Sequence, residues 1–229
     1  MVNERKGLSQ EGLKLIACVS MLIDHIGVVL VPGDCFRIIG RLAFPIYCFL
    51  LVEGVHHTRN TKKYGLRLLI GALLSEIPFD LAFSGGIDLS SCSVMFTLLL
   101  GFGMLQAMKR MKGFRKVLVI LPFFLAAEWL RTDYAGNGIA IIAMLELTRD
   151  LPQGKMWRLL GMIVLCWFGY GVRVGPVMVP IELFAVASLA VIHFYDGKKQ
   201  TSSNAVQWAF YLFYPVHLLI LWGISVTLM

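Results

Sequence analysis

The chain has 229 residues, 58% of them hydrophobic and 15% charged, with a mean hydropathy of +0.74, where an average soluble domain has about 45–50% and about 25%. This composition excludes a soluble globular domain and equally a disordered chain. The net charge of +7 would suit nucleic acid, but basic cytoplasmic loops of a membrane protein account for it more simply, so nucleic acid is not expected as a partner.

The apolar runs are continuous rather than alternating in segments of about ten, which points to helices and not to a transmembrane barrel. In chain order, charge and turn clusters separate nine candidate spans: Leu13–Val31, Phe36–Val55, Tyr64–Phe83, Ser93–Met108, Val117–Leu130, Asn137–Leu147, Trp157–Tyr170, Val177–Phe194 and Val206–Thr227. The sixth is short for a crossing, for which about 17–25 residues are usual, and reads either as a full span or as a half-buried, re-entrant segment. The first run has no small-residue cleavage site and continues past Asp24 and His25, so it is expected to be a retained helix rather than a signal peptide. The expected fold is an all-α integral membrane protein. It is a polytopic bundle of about nine transmembrane helices, eight to ten, in a single domain over residues 1–229.

Basic residues set the orientation. With nine passes and the N-terminus in the cytoplasm, 17 of the 21 Lys and Arg fall on the inner side, in clusters around Arg5–Lys14, Arg59–Arg67, Lys109–Lys116, Arg149–Arg158 and Lys198–Lys199. Only Arg37, Arg41, Arg131 and Arg173 fall outside, and no lysine does. This alternation follows the positive-inside rule and favours counting the short sixth span as a crossing. The five cysteines form no CxxC pair and read as small buried hydrophobes.

Ionisable groups inside spans mark sites or pathways. Asp24 and His25 lie in the outer half of the first span. Arg37 and Arg41 share one face of the second, and Glu76 and Asp80 have the same spacing at the outer end of the third. The fifth span ends with Glu128 and Arg131, followed by Asp133, Tyr134 and Asn137, and the eighth begins with Glu182 in its first turns. All lie at similar outer depth, so they are expected to converge on one polar cavity. Arg37, Arg131 and Arg173 also fit a simpler role, snorkelling to headgroups. Arg41 demands a carboxylate or an anionic ligand, with Asp24 the first candidate and Glu76 or Asp80 the second. His25 has the pKa range of a proton acceptor at neutral pH. Asp24 points about 100° away from it on a helix, so it cannot be its same-helix orienter. On the inner side, His56, His57, Thr58, Arg59, Lys62 and Lys63 read either as an ordinary basic loop or as a site for the phosphates of a nucleotide-bearing donor, with Lys109 and Arg110 from the next inner loop. Adjacent histidines lack metal-ligand spacing, and no metal is expected.

The segments Met21-Leu22-Ile23-Asp24-His25-Ile26-Gly27, Gly40-Arg41-Leu42-Ala43-Phe44-Pro45, Glu53-Gly54 to Thr58-Arg59-Asn60, Ser75-Glu76-Ile77-Pro78-Phe79, Asp133-Tyr134 and Phe213-Tyr214-Pro215-Val216-His217 resemble the TraX family of membrane proteins. The resemblance implies an acetyl-CoA-dependent membrane acetyltransferase, since the founding member acetylates a pilin N-terminus. It also implies kinship with the transmembrane acyltransferases of sugars and surface polymers, and it adds Tyr214 and His217 to the site candidates. The expected activity is transfer of acetyl from cytosolic acetyl-CoA, as co-substrate, to an amine or a sugar hydroxyl. His25 is expected as base, with Asp24 and Arg41 building the site. The expected partners are acetyl-CoA, a peptide, pilin or glycan acceptor and the lipid bilayer, with a homo-oligomer allowed. The expected location is the cell inner or plasma membrane, multi-pass. The alternatives are a secondary transporter of an anionic solute, using the same buried Arg and carboxylates, and a structural scaffold.

Overall fold

A computed structural model describes residues 7–88, 90–197 and 203–228. Arg5, Lys6, Lys198 and Lys199, four of the cations expected on the inner side, lie outside these residues.

The first helix, α1 (Gln10–Val29), starts where Ser9 Oγ accepts from the Gly12 amide at 3.1 Å, a side-chain N-cap. The second predicted span forms as α2 (Asp34–Gly40) and α3 (Ala43–His57), broken at Arg41 and Leu42. The cause is local: Pro45 has no N–H with which to bond the Arg41 carbonyl one turn back. Ten of the 15 residues of α3 are buried, which makes it the apolar axis of the bundle. An N-cap by Asn60, whose Oδ1 accepts from the Lys63 amide at 2.9 Å, opens α4 (Thr61–Ser84). Gly85, at φ +72°, closes it in the left-handed conformation that glycine adopts without strain. Then follow α5 (Val94–Lys109), α6 (Arg115–Leu118), α7 (Ile120–Trp129), α8 (Ala135–Leu147) and α9 (Gly154–Leu165). The chain ends with α10 (Ser188–His193) and α11 (Asn204–Leu228).

Packing of α1 is against α2, α3 and α11. The central α3 also meets α5 and α8, and α4 lies against α5 and α11. Leu13, Ile46, Met104, Leu105, Ile142 and Leu218 are fully enclosed between them. The outer faces of α4, α7 and α9 expose Leu66, Leu73, Ile77, Leu121, Trp129, Leu159 and Val164. Apolar surface on that scale belongs to a protein whose solvent is lipid. Three stretches, Gln10–Val29, Asp34–His57 and Ala205–Leu228, are long and apolar enough to cross a membrane by length and composition.

The predicted eighth span differs. Val177 does not begin a helix: Gly171–Val174 (β1) pairs antiparallel with Val177–Pro180 (β2), in the register Gly171↔Pro180 and Val174↔Val177. A 3-10 stretch, Ile181–Ala187, then leads into α10. Valine alternates here with Arg173 and Met178 around a turn at Gly175, φ +59°, and β-branched residues favour such a pleated pair. Hydropathy alone does not separate this from a helix. The seventh span is also shorter than predicted, since α9 stops at Leu165 and Tyr170 lies beyond it.

Candidate functional site

Because α1 advances about 100° per residue, Asp24 and His25 face different neighbours. Asp24 turns to the break between α2 and α3. Arg41 Nη2 donates to both of its carboxylate oxygens, at 3.0 and 2.8 Å, and Arg37 Nη1 donates to Oδ2 at 2.8 Å. Arg41 Nη1 donates to Glu182 Oε1 at 2.7 Å and to the Tyr134 hydroxyl at 3.3 Å, while its Nε reaches the Arg37 carbonyl at 3.3 Å. All three guanidinium nitrogens are thus engaged, and Arg41 is held by two carboxylates on elements far apart in sequence. The first candidate, Asp24, is its partner. Glu76 and Asp80 are not: they accept from the Ser93 and Asp88 amides, at 3.0 and 3.1 Å, and so tie the end of α4 to the loop before α5.

His25 turns the other way, towards α11. Its Nδ1 lies 2.6 Å from Nε2 of His217, whose own Nδ1 lies 2.6 Å from the Phe213 carbonyl oxygen. The edges of Phe83 and Tyr214 fix the His25 ring at centroid distances of 5.3 and 6.0 Å. No hydrogen bond reaches His25 Nε2 among the described residues.

His25, Asp24, Arg37, Arg41, Asp133, Tyr134 and Tyr214 line one cavity of about 320 Å³; Glu76, Asp80, Glu128, Arg131, Asn137 and Glu182, expected to converge on it as well, are not among its lining residues. Tyr134 stacks on Phe44 with centroids 3.6 Å apart. A second cavity, of about 340 Å³, opens towards the end of the bundle where α1 begins, between Lys14, Glu53, His57, Tyr64, Arg67 and Tyr211. The two cavities abut, for Tyr47, Met95, Leu98 and Phe210 line both. Tyr47 is pinned there by Cys18, hydroxyl to Sγ 3.1 Å.

Of the residues singled out on the inner side, His57 and Thr58 line the second cavity. Arg59, Lys62, Lys63 and Arg110 are exposed beyond it. Lys109 Nζ donates to the Val55 carbonyl at 2.6 Å, at the end of α3. His56 Nε2 pairs with Glu146 at 2.8 Å, and Glu53 with Arg149 at 3.4 Å. The cations inside the cavity are ones that sequence reasoning passed over. Lys14 lies 5.1 Å over the Phe210 ring, and Arg67 donates to Gln207 at 2.8 Å between the rings of Tyr64 and Tyr211. Lys14, Cys18, Met21 and His25 recur at the i, i+4, i+7 and i+11 positions of one helix face, a signal present in the sequence. Glu182 shares the outer depth of Arg41 in the sequence, but nothing there singles it out as the Arg41 partner over the other carboxylates, because it follows a hairpin where a helical span was expected.

The fold and its paired cavities define a helical membrane protein with a buried site of histidine, arginine and carboxylates. The sequence model of the TraX protein family matches residues 9–225, and the chain belongs to that family. A probable fimbrial assembly protein, FimC of serogroup H1 from Dichelobacter nodosus, is 30% identical over 91% of this chain and 92% of its own length. An uncharacterized protein, RP591 of Rickettsia prowazekii (strain Madrid E), is 26% identical over 63% of this chain and 57% of its own. No solved structure matches the chain at a significant level.

Proposed function

We propose that the protein is an acetyltransferase of the cell inner membrane that moves acetyl from cytosolic acetyl-CoA to an amine or hydroxyl acceptor from the far side. In this reading the bundle crosses about nine times with its N-terminus in the cytoplasm. The observation that carries it is the meeting of two cavities, one edged by Lys14 and Arg67, the other holding a histidine whose Nε2 has no protein partner among the described residues. A donor with phosphates at one end and a thioester at the other fits cations at the first mouth and a base in the second chamber. Membership of the TraX family and the fimbrial assembly name of a relative agree with a pilin or other surface acceptor.

The step balances as follows. His25 Nε2 takes a proton from the acceptor as its nitrogen or oxygen bonds the thioester carbonyl carbon. The tetrahedral intermediate collapses, the C–S bond breaks, and the thiolate leaves with the proton that His25 returns. Tyr134 accepts from Arg41, so its own O–H is left to donate to the oxyanion in the chamber. Arg41, engaged on every nitrogen, positions Tyr134 rather than binding the oxyanion itself.

The test is protein purified in detergent, heated with acetyl-CoA, CoA or ATP and then assayed for thiol release with a peptide amine and with a sugar. Acetyl-CoA should raise the melting temperature more than ATP does, because it binds the folded state, and thiol release should require an acceptor. An absence of both, with stabilisation by small organic anions instead, would favour the transporter.

A further inference from the structure

His217 is the side-chain hydrogen-bond partner of His25, yet it stands 192 positions away in the chain. Its Nδ1 faces the Phe213 carbonyl oxygen at 2.6 Å. A carbonyl oxygen only accepts, so that nitrogen holds the ring's proton and Nε2 of a neutral His217 is bare. The bare Nε2 faces His25 Nδ1 at 2.6 Å. Two lone pairs at that distance repel, so His25 carries its proton on Nδ1 and donates it. For a neutral pair this is the one arrangement of protons that satisfies both contacts. It leaves His25 Nε2 unprotonated at the wall of the cavity that also holds Tyr134 and Tyr214.

We propose that His217 is a positioning residue: it fixes His25 in the Nδ1–H tautomer through the chain from the Phe213 carbonyl to His217 to His25. An imidazole in water favours the opposite tautomer, which would turn an N–H, not a lone pair, towards the acceptor. The same bond assists once the proton has moved. When His25 becomes an imidazolium its Nδ1–H becomes a charge-assisted donor, and the bare His217 nitrogen receives it. The rings of Phe83 and Tyr214 pack edge-on against His25, so orientation and tautomer are fixed by different neighbours. A kinetic role for this chain rests on the acetyltransferase reading; the tautomer itself does not.

The chain has five histidines, so histidine-specific nitrogen-15 labelling of the detergent-purified protein gives a spectrum that His25→Ala assigns. His25 should show a protonated Nδ1 and a bare Nε2. In His217→Ala, or in His217→Leu if alanine leaves too large a void for folding, that tautomer should be lost. kcat should fall on the order of 10²-fold with KM for acetyl-CoA unchanged. His217→Gln presents a carbonyl oxygen in place of the ring nitrogen and should restore both the Nδ1–H signal and most of the turnover. A wild-type His25 protonated on Nε2, or a His25 tautomer indifferent to the alanine and leucine changes, would overturn the proposal. If the wild-type protein transfers no acetyl group at all but the nitrogen shifts behave as stated, the positioning role stands and the enzymatic reading falls.

Discussion

Lys14 and His25 stand on one face of α1, eleven residues and about 16 Å apart along the axis, and each lines a different one of two abutting cavities. His25, the proposed base, and the enclosed cation Lys14 are therefore held at a fixed separation by a single rigid helix. Lys14→Gln and Arg67→Gln should each raise KM for acetyl-CoA about tenfold with kcat within about twofold, since contacts to phosphates are equal in ground and transition states. This effect should persist at high salt. Joint neutralisation of the exposed Arg59, Lys62 and Lys63 should instead weaken binding only at low ionic strength, because exposed charges are screened. Titration of acetyl-CoA at two salt concentrations separates the two; the reverse pattern would place the phosphates outside the cavity.

Loss of Arg41 should be felt most by Glu182. Asp24 keeps Arg37 at 2.8 Å when Arg41 is removed, whereas no other ion pair holds Glu182 among the described residues. Arg41→Leu should destabilise by about 3–5 kcal/mol, the usual cost of leaving a buried carboxylate alone. The double change Arg41→Leu with Glu182→Leu should recover more of that loss than Arg41→Leu with Asp24→Leu, and neither should recover turnover. Melting temperatures in the two double-mutant cycles report the difference.

Tyr134→Phe removes one hydroxyl and keeps the ring stacked on Phe44. If that hydroxyl donates to the oxyanion, kcat should drop about 10²-fold while melting temperature and acetyl-CoA affinity stay near wild type. A drop in affinity without a drop in kcat would assign it to substrate binding instead.

Gly40 offers a test that leaves every polar group in place. A Cβ there would run into the Asp24 carboxylate itself. Gly40→Ala should push Asp24 off its bidentate contact and lower turnover about as strongly as Asp24→Asn, despite adding only one methyl group. Thermal melting and turnover of the two variants, measured side by side, check it.

Much of this site was legible because a membrane makes charge conspicuous. Asp24, His25, Arg41, Asp133 and Tyr134 stand out against apolar runs, and helix phase alone separates Asp24 from His25. What spacing does not carry is pairing across the chain. His25 meets a residue 192 positions away, and Arg41 meets Glu182 through a hairpin that hydropathy reads as a span. Glu76 and Asp80 have the depth and charge to serve Arg41, but they are drawn to amides of the adjoining loop, an interaction local in space that charge counting overlooks. Lys14 and Arg67 were counted as inner-side charges, because residue type does not tell a snorkelling side chain from one turned inward between aromatic rings.

The shared wall of Tyr47, Met95, Leu98 and Phe210 has a kinetic signature. In the acetyltransferase reading the donor reaches past this wall from the Lys14 side while the acceptor enters beside His25, so neither need leave before the other enters, and initial-rate lines should intersect rather than run parallel. Free CoA, taking the donor's place in that reading, should then compete with acetyl-CoA but not with the acceptor, and the patterns of product inhibition would report from solution that the protein has two doors.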